Sequence, residues 1–174
     1  MANDIFELIQ RALKLSHLEV RLESHWGSQN PSHRKELHSQ SSNLQMGSHS
    51  ISHCPDIGGF AHTNDSGVQI GFDIELNARL EPRLAERVSH PQESYQEASS
   101  PAIFWCAKEA SYKALRGPLQ PKVISEIRLG NWTKWSSQIE TFQILSIESR
   151  LKTVGLGAAA RIKDHSIAIF TFRA

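Results

Sequence analysis

The sequence predicts an α+β fold in which an antiparallel sheet packs against a long helix. Three observations carry this. The run Val68-Gln69-Ile70-Gly71-Phe72-Asp73-Ile74-Glu75 alternates apolar and polar positions as a half-buried strand does. Residues 101–116 read as a helix opened by Ser100-Pro101 and closed by Gly117-Pro118. Helices and strands then come in blocks along the chain, which excludes the regular alternation of a parallel α/β sheet.

Taken in order, residues 4–22 predict an amphipathic helix, with Asn3 or Asp4 as cap and Ile5, Leu8, Ile9, Ala12 and Leu15 at helical spacing. Residues 24–50 are rich in Ser, His, Asn and Gln and carry little periodicity; they read as loop with a short helical piece around Arg34 to Leu37. Residues 50–54 and 58–63 read as strands. Asn64-Asp65-Ser66-Gly67 then predicts a hairpin turn into the strand from Val68. Residues 82–89 form a short helix with Pro82 in its first turn. After the long helix, 122–129, 139–147, 153–160 and 165–172 read as strands, with Trp132 and Trp135 in a loop between the first two.

The 174 residues suffice for one domain. Lys and Arg total 19 against 18 Asp and Glu, a net charge of +1, which argues against a broad footprint on nucleic acid or an anionic membrane. No apolar run approaches the roughly 18 residues of a membrane span. Two cysteines cannot form a disulfide lattice, and MANDIFELIQRALKL is helical and acid-bearing rather than a signal peptide. The expectation is a reduced, cytoplasmic protein.

Two clusters can carry chemistry. Asp73 and Glu75, two apart on a strand, project from one face. On the long helix, Ile103, Ala107, Ala110 and Ala114 form an apolar stripe beside a polar one of Trp105, Glu109, Lys113 and Arg116. Three gathered carboxylates require a cation between them. Mg²⁺ suits an oxygen-only set and shares phosphate oxygens with substrates, while a lysine completes the charge balance. Taken alone, each cluster is better accounted for by solvated carboxylates or by a surface Glu–Lys pair.

The wording of the motifs goes further. Gly71-Phe72-Asp73-Ile74-Glu75, then Trp105-Cys106-Ala107-Lys108-Glu109 with Lys113, and Ser50-Ile51-Ser52-His53 upstream resemble the ordered signatures of the 4′-phosphopantetheinyl transferases. The resemblance covers about residues 50–117. It implies that family's fold, with residues 1–66 a shortened N-terminal part and 67–174 the core carrying the metal site. It also implies transfer of the phosphopantetheine arm of coenzyme A to a serine of an apo acyl or peptidyl carrier protein, as in fatty acid biosynthesis, with release of 3′,5′-ADP. Asp73, Glu75 and Glu109 correspond to Mg²⁺ ligands; Glu109 and Lys113 are the catalytic candidates. Ser52, His53, Lys108, Lys113 and Arg34 are the candidate coenzyme A contacts, Lys108 although its helix position points it off the Glu109 stripe. The runner-up is a non-catalytic coenzyme A- or carrier-binding module. The chain matches neither the two-halved nor the small trimeric members in size, which leaves a homo-oligomer open.

Four other features weigh less. His49, His53 and Cys54 invite zinc, but residues four apart on a strand lie about 13 Å apart. Cys106 reads as core and His62 as a hairpin residue. Arg79, Arg83 and Arg87 make a basic stripe suited to an acidic carrier.

Overall fold

The computed structural model describes residues 2–28, 31–44, 46–116, 119–148 and 150–173. It contains twelve helices and strands, leaving aside short 3-10 turns, in this order: α1 (Ala2–Ala12), β1 (Glu19–Glu23), α2 (Pro31–Ser42), β2 (Ser48–His53), β3 (Gly58–Thr63), β4 (Val68–Leu76), α3 (Pro82–Val88), α4 (Pro101–Ala114), β5 (Ile127–Lys134), β6 (Ile139–Ile147), β7 (Arg150–Ile162) and β8 (His165–Arg173). The strands form two antiparallel sheets, one of order β1-β3-β2 and one of order β4-β8-β7-β6-β5. None of the helices is long and apolar enough to cross a membrane among the described residues.

The five-stranded sheet is buried on both faces, and the period-2 rule sorts its side chains. Val68, Ile70, Phe72, Ile74, Ala158, Ala160, Ile167 and Ile169 face α1 and the smaller sheet. Phe142, Ile144, Ala159, Ala168, Phe170 and Phe172 face α4. The helix presents Ile103, Ala107, Ala110 and Ala114, all essentially without exposure, as the sequence stripe requires. Ser100 caps it by accepting from the Ile103 amide at 3.2 Å, with Pro101 in the first turn. Gly117 and Pro118, expected to close it, lie outside the described residues.

Gly71 is what lets α4 lie flat on β4. A Cβ there would fall well under 3.0 Å from the Ala110 carbonyl oxygen and the Ala114 nitrogen, both backbone atoms that cannot swing aside. Gly71→Ala is expected to cost about 1–3 kcal/mol or more in chemical denaturation, and to reduce activity by moving Glu109 and Lys113 away from Asp73.

Several expected elements differ. The N-terminal helix stops at Ala12 rather than running to 22. Lys14 takes a left-handed conformation (φ 56°), the Leu15 amide donates to the Gln10 carbonyl and the Lys14 amide to that of Arg11, closing the helix end. Leu18, Val20 and Leu22 then pack with β-strand alternation, and β1 pairs with β3. Residues 24–50 are not a loop: beyond β1 they hold a 3-10 turn and the twelve-residue α2, which buries Leu37 against Trp26 and Phe60.

The turn Asn64–Gly67 makes no hairpin, because β3 and β4 belong to different sheets. Instead, alternate serines of β2 cover the open edge of β4. The Ile70 amide donates to Ser48 Oγ at 3.1 Å and the Phe72 amide to Ser50 Oγ at 3.0 Å. Hydroxyls replace a partner strand and satisfy an edge that would otherwise be unpaired.

The strand expected at 122–129 begins only at Ile127. The Glu126 carboxylate first draws in the Lys122 amide at 2.9 Å and closes a turn. Trp132 is part of β5 rather than of a loop, and stacks on Phe142 with ring centres 4.9 Å apart. A bulge at Asn131 (φ 55°) gives that stretch its loop-like composition.

Candidate active site

β4 is the edge strand beside α4, so its α4-facing residues beyond Gly71 emerge at the helix flank. Those residues are Asp73 and Glu75. With Trp105, Glu109 and Lys113 from α4, they line a cleft of about 370 Å³, whose opposite wall is Ile51, Ser52 and His53 of β2 and His38 of α2. One wall of the cleft thus comes from α2 and β2, within residues 1–66 of the same chain. The structure brings together Asp73, Glu75, Glu109 and Lys113, to which strand and helix spacing pointed, with Ser52 and His53, to which only the resemblance pointed.

Lys113 stands at the centre. Its Nζ donates to Asp73 Oδ1 at 2.7 Å, Ser52 Oγ at 3.0 Å and the Phe72 carbonyl at 3.3 Å. Ser52 in turn donates to Asp73 Oδ1 at 2.7 Å. The Ser52 hydroxyl, expected on a phosphate, is thus engaged within the protein and fixes the Asp73 and Lys113 side chains. It is the third of the β2 serines, after the two that hold β4.

Asp73 is 3 % exposed, and its second oxygen, Oδ2, is buried without a hydrogen-bond partner, as is Glu75 Oε2. Arg79 approaches Glu75 Oε2 only to 3.9 Å, an ion pair too long for a hydrogen bond. Burial, then the charge of Asp73, pushes the Glu75 carboxyl up to about 7. The same two causes raise Glu109, partly offset by Lys113. Two orphaned acceptors within a set of three mutually repelling carboxylates fit a hard divalent cation, which would supply the missing charge and take oxygen ligands.

The raised Glu75 carboxyl has a consequence for stability. Folded, it holds its proton to about pH 7; unfolded, it releases it near its ordinary value of 4.5. The folded state binds more protons between those values, so this contribution is fully present below about 4.5 and is lost as pH rises through about 7, with roughly 3 kcal/mol as an upper bound. Without divalent cation, the thermal midpoint is expected to fall between about pH 5 and pH 8 from this group. Glu75→Gln is expected to flatten the fall; an unaltered slope would show that Glu75 is ionised throughout.

Two sequence expectations are not met. Lys108 does not reach the cleft: it is fully buried on another face of α4, paired with Glu93 at 2.9 Å and donating to the Ile127 carbonyl. It is a structural ion pair, not a phosphate contact in this geometry. Arg34 lies on α2 one turn before His38 and is not among the cleft-lining residues. The arginine stripe is broken as well, since Arg79 sits in a 3-10 turn apart from α3, which carries Arg83 and Arg87. Conversely, His38 carries no mark in the sequence because α2 has almost no apolar period. The one local signal is its Pro31 start.

Among curated proteins, none matches this chain. The sequence profile described as the 4′-phosphopantetheinyl transferase superfamily matches residues 69–170, from the second residue of β4 into β8. It takes in Asp73, Glu75, Glu109 and Lys113 and leaves out the small sheet that carries Ser52 and His53. With more than half its length matched and the acidic cleft formed by those residues, the chain belongs to the 4′-phosphopantetheinyl transferase superfamily.

Proposed function

We propose that this protein transfers the 4′-phosphopantetheine arm of coenzyme A to a serine of an apo acyl or peptidyl carrier protein, with Mg²⁺, releasing 3′,5′-ADP. The observation that carries the reading is the pair of orphaned carboxylate oxygens, Asp73 Oδ2 and Glu75 Oε2, beside Glu109 in the cleft walled by Ser52 and His53. Asp73, Glu75 and Glu109 would hold the metal, which supplies charge stabilisation to the pyrophosphate.

The remaining roles belong to this chain's own side chains. Glu109, raised above the usual carboxylate range by burial, accepts the proton of the incoming serine hydroxyl, directly or through water. The serine oxygen attacks the β-phosphorus, and the bond to the oxygen retained by 3′,5′-ADP breaks. Lys113, 28 % exposed at its side chain, turns from Asp73 toward the pyrophosphate and stabilises the departing oxygen. Ser52 holds Asp73 against that movement. His53 and His38, on the opposite wall, would meet coenzyme A phosphates.

The test is intact-mass spectrometry of an apo carrier protein incubated with this protein, coenzyme A and Mg²⁺. The expected result is a Mg²⁺-dependent gain of one phosphopantetheine that Glu109→Ala abolishes. Coenzyme A binding by calorimetry without transfer to any of several carriers would instead identify a non-catalytic binding module.

A further inference from the structure

Away from the acidic cleft, three side chains of different ligand chemistry meet. Cys54 Sγ, a carboxylate oxygen of Asp56 and a ring nitrogen of His165 all lie within 4.8 Å of one another. Cys54 Sγ is 3.3 Å from Asp56 Oδ1, and His165 Nε2 is 3.1 Å from the same oxygen. Ligands placed tetrahedrally about Zn²⁺ at about 2.0–2.3 Å are roughly 3.3–3.8 Å apart. Two of the separations are therefore close to those of a metal-bound set. Strand spacing excludes a zinc site of His49, His53 and Cys54; the fold supplies Cys54 with other partners.

Rigid backbone holds the three in place. Cys54 and Asp56 flank Pro55 in the loop between β2 and β3. The Cys54 amide donates to the Ile57 carbonyl at 2.9 Å, and the Cys54 carbonyl accepts from the Ser28 amide at 2.8 Å. Gly27 lies so close that a Cβ there would collide with the Pro55 carbonyl. His165 opens β8 opposite Leu76 of β4, next to a hairpin end closed by the Asn77 amide on the Asp164 carbonyl at 2.8 Å. Cys54 is fully buried, whereas the side chains of Asp56 and His165 are 54 % and 15 % exposed. The cluster is thus buried at the sulfur and exposed at the carboxylate, as an entry path and a water ligand require.

We propose that Cys54, Asp56 and His165 form a zinc site, with water as fourth ligand, that clips the β2–β3 loop of the small sheet to β8 of the large one. A thiolate, an imidazole and a carboxylate are the mixed sulfur, nitrogen and oxygen set that borderline Zn²⁺ accepts and Mg²⁺ does not. On binding, the Cys54 thiol releases its proton to solvent. The neutral His165 ring frees Nε2, which now faces Asp56 Oδ1, by carrying its one hydrogen on Nδ1, so the ring neither gains nor loses a proton overall. Thiolate and carboxylate together neutralise the dication. Cys54 follows directly on Ser52 and His53, so the clip anchors the wall of the cleft that faces Asp73.

The experiment is titration of the metal-depleted full chain with Co²⁺ alone, as a spectroscopic stand-in for Zn²⁺, without coenzyme A or carrier. The expected result is one equivalent giving a thiolate-to-metal charge-transfer band and intense visible bands of a tetrahedral ion, both displaced by Zn²⁺. Asp73→Asn, which disables the oxygen-only cleft, is expected to leave the bands intact. Cys54→Ser, which keeps a hydroxyl for Asp56, is expected to abolish them, together with the Zn²⁺-induced rise in thermal midpoint. His165→Ala, at the open face, is expected to weaken Co²⁺ binding at least about tenfold and serves if the Cys54 variant does not fold. Weak bands of a six-coordinate ion without charge transfer, or a charge-transfer band that survives Cys54→Ser, would overturn the proposal. Loss of transfer activity does not bear on it, so it stands or falls separately from the proposed reaction.

Discussion

Asp73→Asn is expected to lower phosphopantetheine transfer by about 10²–10³-fold, the range for removing one preorganised charge-stabilising group, while leaving the fold intact. The substitution changes almost no volume. Asn Oδ1 can still accept from Ser52 and Lys113, as Asp73 Oδ1 does at 2.7 Å from each. The difference falls on the other atom: the orphaned Oδ2, a buried acceptor with no hydrogen-bond partner, becomes an amide nitrogen that carries hydrogens. A cation drawn to three carboxylates then meets a donor in place of an anion.

The same substitution is expected to leave the metal-free protein as stable at pH 8 as the parent, or more so. The charge of Asp73 is the second cause, after burial, of the raised carboxyls of both Glu75 and Glu109. Removing it relieves repulsion that the folded state alone carries. Loss of activity with undiminished thermal midpoint, together with loss of Mg²⁺ binding by calorimetry, is the pattern of a site in which stability has given way to function. A variant that retained Mg²⁺ affinity would place the ion elsewhere; one that unfolded would make Asp73 primarily a structural partner of Lys113.

How much of this was legible in the sequence depended on whether local pattern and tertiary role coincide. In β4 they do: Val68, Ile70, Phe72 and Ile74 face one core, so Asp73 and Glu75 are forced to the other side. In α4 they do again, because Ser100-Pro101 starts the helix and four small or apolar residues mark its packed stripe. The chemistry of the cleft follows from those two elements. Where one residue performs a role usually given to another type, the pattern misleads. Lys14 in the left-handed conformation takes the place expected of glycine, so the end of α1 left no mark. α2 buries only Leu37 and Ser41, too few to show a period, and His38 was lost with it. The turn at residues 64–67 has hairpin composition, yet nothing local says that its two strands join different sheets. Ser48 lay in the stretch read as loop, and the edge-covering role of Ser48 and Ser50 left no mark, because hydroxyls covering a strand edge have no sequence period beyond every second residue.

Lys108 separates the motif from the geometry most sharply. Within the motif it adjoins Glu109 and invites a role at a phosphate; in the fold its ammonium lies between Glu93 and the Ile127 carbonyl, 5.7 Å from the centre of the Phe104 ring. Glu93 receives the His90 amide at 2.7 Å on the same oxygen, while its other oxygen receives the Leu129 amide at 2.7 Å. One buried carboxylate thus ties α4 to the loop before it and to the start of β5. Burial pulls the Lys108 ammonium below its ordinary range, and the charge and hydrogen bond of Glu93 oppose that pull. Lys108→Ala is expected to cost about 3–5 kcal/mol in chemical denaturation, because it strands a buried carboxylate and opens a cavity. That is a large share of the roughly 5–15 kcal/mol that holds an ordinary domain folded, and transfer activity is expected to fall with the folded fraction. The decisive comparison is Lys108→Met with Glu93→Gln. The pair is neutral and similar in volume, and the introduced amide oxygen keeps an acceptor for the Leu129 N–H. It is expected to recover more than half of the lost stability and to restore transfer at a KM for coenzyme A close to that of the parent. A folded double variant with a sharply raised KM would mean that Lys108 leaves its partner to meet a phosphate.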